Sequence, residues 1–265
     1  MPYYNYNDYN IFYEDQGYGT TLFFVHEWNS SSFSFRKINL KYLVKKIRVV
    51  CIDLPGYGNS ELVKDLQFKD FSDILIGVMD HLKIQKCTLM GFCLGSTIIL
   101  DFYQKYPERV KFLILIEPVL KFPKILVPLL IPRFGVAFLK YLAQHRFLFS
   151  LIGSQLIGED KRLNNNVFKG IGRVDPKISK IYLQLLYRQN RFQNYRTLNS
   201  ETQNHCICIS GENTLPLFKR NAAYLLNHFN IQDCFVLNDT RHFALLEQPV
   251  KISDIILKYL KIIDV

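Results

Sequence analysis

The sequence predicts a doubly wound α/β fold with a mostly parallel sheet and one helical cap insertion. Short, continuously apolar runs of strand length recur along the chain, with helix-patterned segments between them. Continuous rather than alternating hydrophobicity is typical of strands that are buried on both faces by helices. The chain has 265 residues, 49% of them apolar, which is enough for one large domain with an insertion.

Six apolar runs predict the strands of the sheet. They cover residues 20–26, 48–54, 87–93, 112–117, 206–212 and 234–239. Before them, the opening segment alternates around Asn7 and Asp8, which fits an antiparallel hairpin at the sheet edge. Between and after the runs, residues 68–82 and 248–263 carry apolar side chains at helical spacing.

The rhythm is interrupted once, between residues 118 and 204. This interval contains apolar, helix-like pieces and a polar stretch, but no strand run. We therefore expect a core of residues 1–117 and 205–265 and a helical cap of residues 118–204. An insertion after a central strand would cover the crevice in which α/β sheets bind ligands.

Composition limits the classes of binding partner and the cellular compartment that the sequence predicts. The formal net charge is +10, but the basic residues are scattered without a run of five, so we expect no nucleic-acid partner. The six cysteines lack C-x-x-C spacing, which favours a reduced, cytoplasmic chain without a metal site. Charges and prolines interrupt residues 112–132, so no stable membrane insertion is expected, although a segment lying on a surface stays possible. The sequence does not fix the oligomeric state.

One short motif could supply a nucleophile. Residues 91–95 read GFCLG, with an apolar strand before them and a helix-patterned segment after them. A small residue on each side lets strand and helix approach closely, while the central residue, Cys93, is exposed on a sharp turn. The helix N-terminus would also lower the pKa of the thiol. The alternative is a buried thiol at the end of a strand.

The chain resembles the α/β-hydrolase fold family in four segments that occur in the family's order. They are the oxyanion-loop match FFVHEWNSSSFSF, the turn CIDLPGYGNS, the elbow match GFCLG, and the histidine segment NDTRHFALLEQPVKISDIILKYL. The resemblance implies acyl-transfer chemistry through a nucleophile, a histidine and an acid, with neither a metal nor an organic cofactor.

The same resemblance implies a role for each matching residue. His242 is the expected general base, and the backbone N–H groups of Trp28 and Leu94 are the expected oxyanion hole. His26 is expected to support its loop without transferring protons. Asp53 is expected to organise its turn through backbone hydrogen bonds.

One of two departures from the family pattern bears on the acid. Thr214 stands where most relatives carry the catalytic acid, and a hydroxyl cannot orient a histidine as a carboxylate does. Glu117 ends an apolar strand, as the acid does in some relatives, and an ionised carboxylate there needs a cationic or hydrogen-bonding partner. We therefore predict Glu117 as the acid, with Glu212 or Asn213 as second choices.

The other departure is Glu27, which occupies the usual glycine position of the oxyanion loop. If the loop requires a positive φ there, a glutamate would be strained. The leading hypothesis is an acyl-enzyme hydrolase or acyltransferase for an ester or thioester with an apolar acyl group, working through Cys93, His242 and Glu117. The alternative is a catalytically weak binding or regulatory protein with the same fold, which Glu27 and Thr214 motivate.

Overall fold

The computed structural model describes residues 2–38, 40–145, 156, 173–189, 205–229 and 231–263. Within these residues one eight-stranded sheet has the order β1-β2-β4-β3-β5-β6-β7-β8. The strands are β1 Tyr3–Tyr6, β2 Tyr9–Gln16, β3 Thr21–Val25, β4 Arg48–Ile52, β5 Cys87–Phe92, β6 Val110–Ile116, β7 His205–Gly211 and β8 Ile231–Leu237. Strands β3 to β8 pair in parallel, which confirms the predicted, mostly parallel sheet.

The first two strands form the predicted antiparallel hairpin at the sheet edge. Asn7 and Asp8 at its tip have φ angles of 49° and 68°. A two-residue turn with both φ angles positive matches the right-handed twist of the flanking strands, and asparagine and aspartate tolerate this region well. Strand β2 then pairs antiparallel with β4 and so joins the hairpin to the parallel part.

Helices cover both faces of the sheet. They are α1 Leu40–Leu43, α2 Phe68–His81, α3 Leu94–Lys105, α4 Phe134–Gln144, α5 Pro176–Arg188, α6 Pro216–His228, α7 Ala244–Glu247 and α8 Pro249–Ile263. One buried cluster joins α2, α3 and α6 to one face of the strands, and a second joins α8 to the other face. This two-sided burial explains why the central strands are continuously apolar.

Strand β8 departs from that pattern. Its side chains are mostly partly buried or exposed, and Val236 is among the exposed apolar residues. The strand lies at the end of the sheet order and pairs only with β7, so it cannot be buried as the interior strands are. The apolar run at 234–239 predicted the strand but not its position at the edge.

Between β6 and β7 the described chain is helical. A 3₁₀ helix, Lys124–Leu130, packs with α4 and α5 around a small buried cluster. The boundaries of the cap, residues 118–204, stay a prediction. The predicted polar stretch at 158–170 and residues 190–204 lie outside the described residues.

None of the described helices is by itself long and apolar enough to cross a bilayer. Only Lys124–Leu130 and Phe134–Leu142 taken together reach that length and composition, across a bend of 111°.

Candidate active site

Cys93 lies on a sharp turn between β5 and α3. Its backbone angles are φ 52° and ψ −109°, a conformation that is sparsely populated for a residue with a side chain. Both flanking glycines are required by close contacts. A Cβ on Gly91 would lie 2.5 Å from the backbone of Gly95, and a Cβ on Gly95 would lie 2.1 Å from the carbonyl oxygen of Val25. Strand and helix therefore approach closely at both glycines.

The turn holds Cys93 at the N-terminus of a helix. The Cys93 backbone N–H donates to the Ile116 carbonyl at 2.8 Å, which ties the turn to the end of β6. Leu94 is the first residue of α3, so its N–H has no acceptor within the helix. The thiol of Cys93 is partly buried, whereas the thiols of β5 and β7, Cys87, Cys206 and Cys208, are fully buried.

His242 lies in the loop between β8 and α7, with its imidazole held between aromatic rings. The Phe218 ring stacks on it with a centroid distance of 4.0 Å, and Phe92 and Phe243 contact it at 5.5 Å and 5.3 Å. The loop itself is fixed by Glu247, whose carboxylate accepts from the backbone N–H groups of Arg241 and Phe243. Stacking and loop contacts together limit the rotation of the imidazole.

The two neighbours of His242 control its charge. Burial lowers the pKa of the imidazole, whereas the Cys93 thiolate and then the Glu117 carboxylate raise it. The two neighbours outweigh burial and raise the pKa of His242 to about 10. At neutral pH this favours the imidazolium form of His242, and a cationic neighbour is what activates a cysteine thiol.

Glu117 follows β6 directly and is fully buried. One carboxylate oxygen accepts from the Gly211 N–H at 2.6 Å, and the other accepts from the Thr214 hydroxyl at 2.8 Å. The second oxygen also lies 3.5 Å from Nδ1 of His242. This separation is too long for a good hydrogen bond, so Nδ1 has no hydrogen-bond partner among the described residues. The pair is therefore an ion-pair contact that a small ring movement would close.

The two alternative acids lie elsewhere on the same edge. The side chains of Glu212 and Asn213 are exposed. Glu212 accepts from the backbone N–H of Asp239 at 3.1 Å and so stabilises the turn after β8. Glu117 is thus the predicted acid that the structure brings to His242.

The predicted oxyanion loop follows β3, beside the start of α3. The His26 imidazole is buried, with Nδ1 donating to the Glu27 carbonyl at 2.7 Å and Nε2 accepting from the Leu54 N–H at 3.0 Å. Both ring nitrogens are therefore used within the loop, and burial lowers the pKa of His26. His26 thus has the supporting position expected from the sequence.

Glu27 does not have the strained backbone that its position suggested. The residue with positive φ in this loop is Asn29, at 57°, and Glu27 is absent from the positive-φ residues of the described chain. The Glu27 side chain is buried and accepts from the Ser34 hydroxyl at 3.1 Å. Burial raises the pKa of Glu27, which favours its neutral form near His242.

Helix α5 contacts the oxyanion loop directly. The Trp28 indole N–H donates to the Ser179 carbonyl at 3.1 Å, and the Ser179 hydroxyl donates to Asn29 Oδ1 at 2.6 Å. Tyr57 also donates to Asn29 Oδ1, at 3.3 Å. A residue about 150 positions away in the chain therefore holds the backbone that carries the Trp28 amide.

The Asp53 turn has the structural role that the sequence predicted. One Asp53 oxygen accepts from the Ser32 N–H at 2.7 Å and the other from the Asn59 N–H at 2.9 Å. The bond from Asn59 closes the turn after β4, and the bond from Ser32 ties that turn to the segment after the predicted oxyanion loop.

Sequence reasoning missed three supporting groups. Thr214 was interpreted only as a lost acid, although it donates to Glu117. Its place in the family's acid position was the available signal, because a side chain there must face the histidine. Ser179 and Phe218 gave no local signal, since their contacts with Asn29 and His242 are made only by tertiary packing.

The fold agrees with comparisons to known proteins. The family model described as alpha/beta hydrolase fold matches residues 20–144. The chain is 26% identical over 266 residues to the uncharacterized hydrolase YugF of Bacillus subtilis, which covers 95% of this chain and 94% of that protein. It is 30% identical over 96 residues to a pimeloyl-[acyl-carrier protein] methyl ester esterase of Wigglesworthia glossinidia brevipalpis, which covers 36% of this chain and 35% of that protein.

Solved structures match over nearly the full length. Est816, an N-acyl homoserine lactone degrading enzyme, has a TM-score of 0.80 at 17% identity, covering 97% of this chain and 100% of that one. The enol-lactonase of Burkholderia xenovorans LB400 has a TM-score of 0.81 at 14% identity, covering 98% and 100%. The sheet order, these neighbours and the family match together identify an α/β-hydrolase fold.

Proposed function

We propose that the protein is a carboxylic ester or thioester hydrolase with Cys93 as nucleophile, His242 as acid and base, and Glu117 as the orienting acid. The observation that carries the proposal is the buried imidazole of His242, whose pKa is raised by Cys93 on one side and Glu117 on the other. Structural histidines use their ring nitrogens on backbone groups, as His26 does. His242 instead faces a thiol and a carboxylate.

The first half-reaction would form a thioester. The Cys93 thiolate attacks the carbonyl carbon of the substrate, and the carbonyl π electrons move to oxygen. The backbone N–H groups of Leu94 and Trp28 are proposed to donate to that oxyanion. When the oxyanion re-forms the carbonyl, the bond to the leaving group breaks, and the leaving group takes the proton of the His242 imidazolium.

The second half-reaction needs His242 to change from acid to base. Acylation consumes the thiolate, whose charge is one of the causes that raise the pKa of His242. The pKa therefore falls in the acyl-enzyme, and the neutral imidazole can take a proton from water as the water attacks the thioester. The released thiolate then restores the resting pair with the imidazolium.

Glu117 would keep the imidazole in the productive orientation. Its carboxylate is stabilised in a buried position by Gly211 and Thr214. A buried carboxylate with two donors and a facing imidazolium avoids the cost of an unpaired buried charge. Thr214, in the usual acid position, thus supports the relocated acid rather than marking a lost one.

For the substrate we propose an ester or thioester with an apolar acyl portion, bound beneath the cap of residues 118–204. The described cap helices contribute mainly apolar side chains, including Leu129, Leu139 and Leu183 of the buried cap cluster. Relatives and structural neighbours named as esterases and lactonases support hydrolysis as the reaction class.

Acyl transfer is the second candidate, since a thioester reacts with amines, alcohols and thiols as well as with water. A matching segment of 101 residues is 35% identical to the dihydrolipoyllysine-residue acetyltransferase component of an acetoin cleaving system from Pseudomonas putida, covering 37% of this chain and 26% of that protein. The two outcomes differ only in the acceptor that reaches the acyl-enzyme.

Product release and acylation measured together test the proposal. Purified protein is mixed with a chromogenic short-chain ester and, separately, with an acyl thioester, while intact mass follows the acyl adduct. We expect steady turnover, which Cys93→Ala abolishes and Cys234→Ala, a change at a second partly buried thiol, leaves intact. A lasting adduct at Cys93 without release would indicate a transferase. If neither turnover nor an adduct is observed, the enzymatic proposal is refuted and the binding protein is favoured.

A further inference from the structure

We propose that the cap docks the protein on the surface of an anionic lipid bilayer. The contact would be made by the apolar cap surface, which we define as the exposed side chains of Ile125, Val127, Ile131, Phe134, Phe138 and Tyr141. This interaction goes beyond the proposed ester chemistry, and the docking itself does not depend on that chemistry.

Exposed apolar side chains are concentrated in this one stretch. Of the 15 large apolar side chains exposed in the described residues, six belong to the apolar cap surface, within 17 consecutive positions. Ile125 is 84% exposed, and Ile131 and Phe134 are 53% and 50% exposed. Single exposed apolar residues are common on proteins, but a concentration of them marks a contact surface.

The arrangement in α4 shows that this exposure is a property of one helix face. Gly135 and Leu139 are buried toward the other cap helices, whereas Phe134, Phe138 and Tyr141 recur at helical spacing on the exposed side. The rings of Phe134 and Phe138 stack with a centroid distance of 5.9 Å. The helix is therefore apolar on both faces, and only one of them is covered by the described chain.

Charge indicates which partner covers the other face. Residues 118–145 contain no aspartate or glutamate, but they contain Lys121, Lys124, Arg133 and Lys140. Lys124, Arg133 and Lys140 are exposed beside the apolar cap surface. Basic side chains around exposed aromatic and aliphatic groups match an anionic headgroup layer above hydrocarbon.

The shape of the segment favours a contact that lies along the membrane. The chain bends by 111° between the two helices that flank Ile131–Arg133. Two short helices joined by such a bend can each place one face at the boundary between headgroups and acyl chains without crossing the bilayer. If the proposed function holds, docking brings the roof of the site to the place where substrates with apolar acyl chains concentrate.

Vesicle co-sedimentation of the full chain tests the proposal without any substrate. The probes are vesicles of phosphatidylcholine alone and vesicles with about one third phosphatidylserine. We expect binding to the anionic vesicles that weakens as salt rises, and little binding to the neutral ones. No binding to anionic vesicles at low salt would overturn the proposal.

Matched variants separate this surface from the overall charge of +10. Lys124→Glu with Lys140→Glu and the control pair Lys83→Glu with Lys86→Glu change the net charge equally, all at exposed positions. Each basic residue lost near the membrane surface should weaken binding about fivefold. We therefore expect the cap pair to weaken binding to anionic vesicles at least tenfold, roughly, and the control pair to weaken it far less. Equal weakening by both pairs would overturn the assignment to the cap.

The apolar contribution has its own pair of variants. Ile125→Ser with Phe134→Ser should weaken vesicle binding, whereas Tyr18→Ser with Val250→Ser, at positions 71% and 64% exposed, should not. All four side chains are exposed, so folding is expected to survive, and circular dichroism checks it. A cap variant that abolishes self-association in sedimentation velocity, without changing vesicle binding, would show that the surface joins two copies of the chain and would refute the membrane proposal.

Discussion

The sharpest test of the proposed site is Glu117→Gln, which removes one buried charge and keeps the shape of the side chain. In the structure, a Glu117 oxygen lies 3.5 Å from His242 Nδ1. At that separation and an effective dielectric constant of about 20, a carboxylate stabilises an imidazolium by about 5 kcal/mol. About 1.4 kcal/mol corresponds to a tenfold change in rate, so complete loss of this interaction would slow the reaction by three to four orders of magnitude, roughly.

The amide keeps a polar group at this position, but it does not restore the lost interaction. Its oxygen can accept from the Gly211 N–H, which leaves the NH₂ group facing His242. That group favours an unprotonated Nδ1, the wrong tautomer for orienting the ring. We expect kcat/KM to fall about 10³- to 10⁴-fold, with the first-order rate of acylation falling in parallel. The pKa of His242 should also fall, since Glu117 is one of the groups that raise it.

Stopped-flow measurement of acylation and steady-state hydrolysis of the same ester are the assays. Glu212→Gln is the matched control, because it neutralises an exposed carboxylate bound to a backbone N–H on the same edge. The thermal midpoint of each variant shows whether a loss of activity reflects unfolding. A Glu117→Gln variant that keeps its activity, or a larger loss in Glu212→Gln, would refute the relocated acid.

Three further substitutions test the surroundings of the site. Thr214→Val leaves the buried Glu117 carboxylate one donor short, so the free energy of unfolding should fall by about 1 to 3 kcal/mol, measured by urea unfolding, and turnover should fall with it. Ser179→Ala removes one hydrogen bond to Asn29 in the predicted oxyanion loop, so kcat should fall roughly tenfold with little change in KM. This loss is smaller than the roughly 10²- to 10³-fold fall in kcat expected when a direct oxyanion donor is removed. Glu27→Gln removes a buried carboxyl whose pKa is raised by burial. The folded wild-type chain holds that proton to higher pH than the unfolded chain, so the variant should gain stability over wild type as pH rises above about 4.

Ser179→Ala has a matched control, and each of the three expectations has a result that would contradict it. Ser253→Ala removes a buried serine hydroxyl that bonds only within its own helix, and it should leave kcat unchanged. An equal loss of kcat in both serine variants would mean that Ser179 acts through general stability. A Glu27→Gln variant that is less stable than wild type at pH 7 would show that the charged form of Glu27 is paired in the folded chain. Thr214→Val with unchanged stability would show that Glu117 is satisfied without the hydroxyl.

Local patterns in the sequence carried much of this description. The apolar runs predicted the central strands because both faces of those strands are covered by helices. The Asn7-Asp8 pair predicted the hairpin because a two-residue turn with two positive φ angles matches the twist of the flanking strands, and both residues tolerate that region. The spacing of Gly91 and Gly95 around Cys93 predicted the turn, since both positions lack room for a side chain.

Other features were decided only by the tertiary structure. Pattern cannot tell an edge strand such as β8 from a central one, because sheet order depends on which helices cover which face. The sequence left Glu117, Glu212 and Asn213 open as acids, and folding brings Glu117 to His242 while the other two face solvent. Contacts such as Ser179 with Asn29 join residues about 150 positions apart. Local chemistry thus set the strands, the turns and the candidate groups, whereas long-range packing set the distances and burial that give those groups their charge.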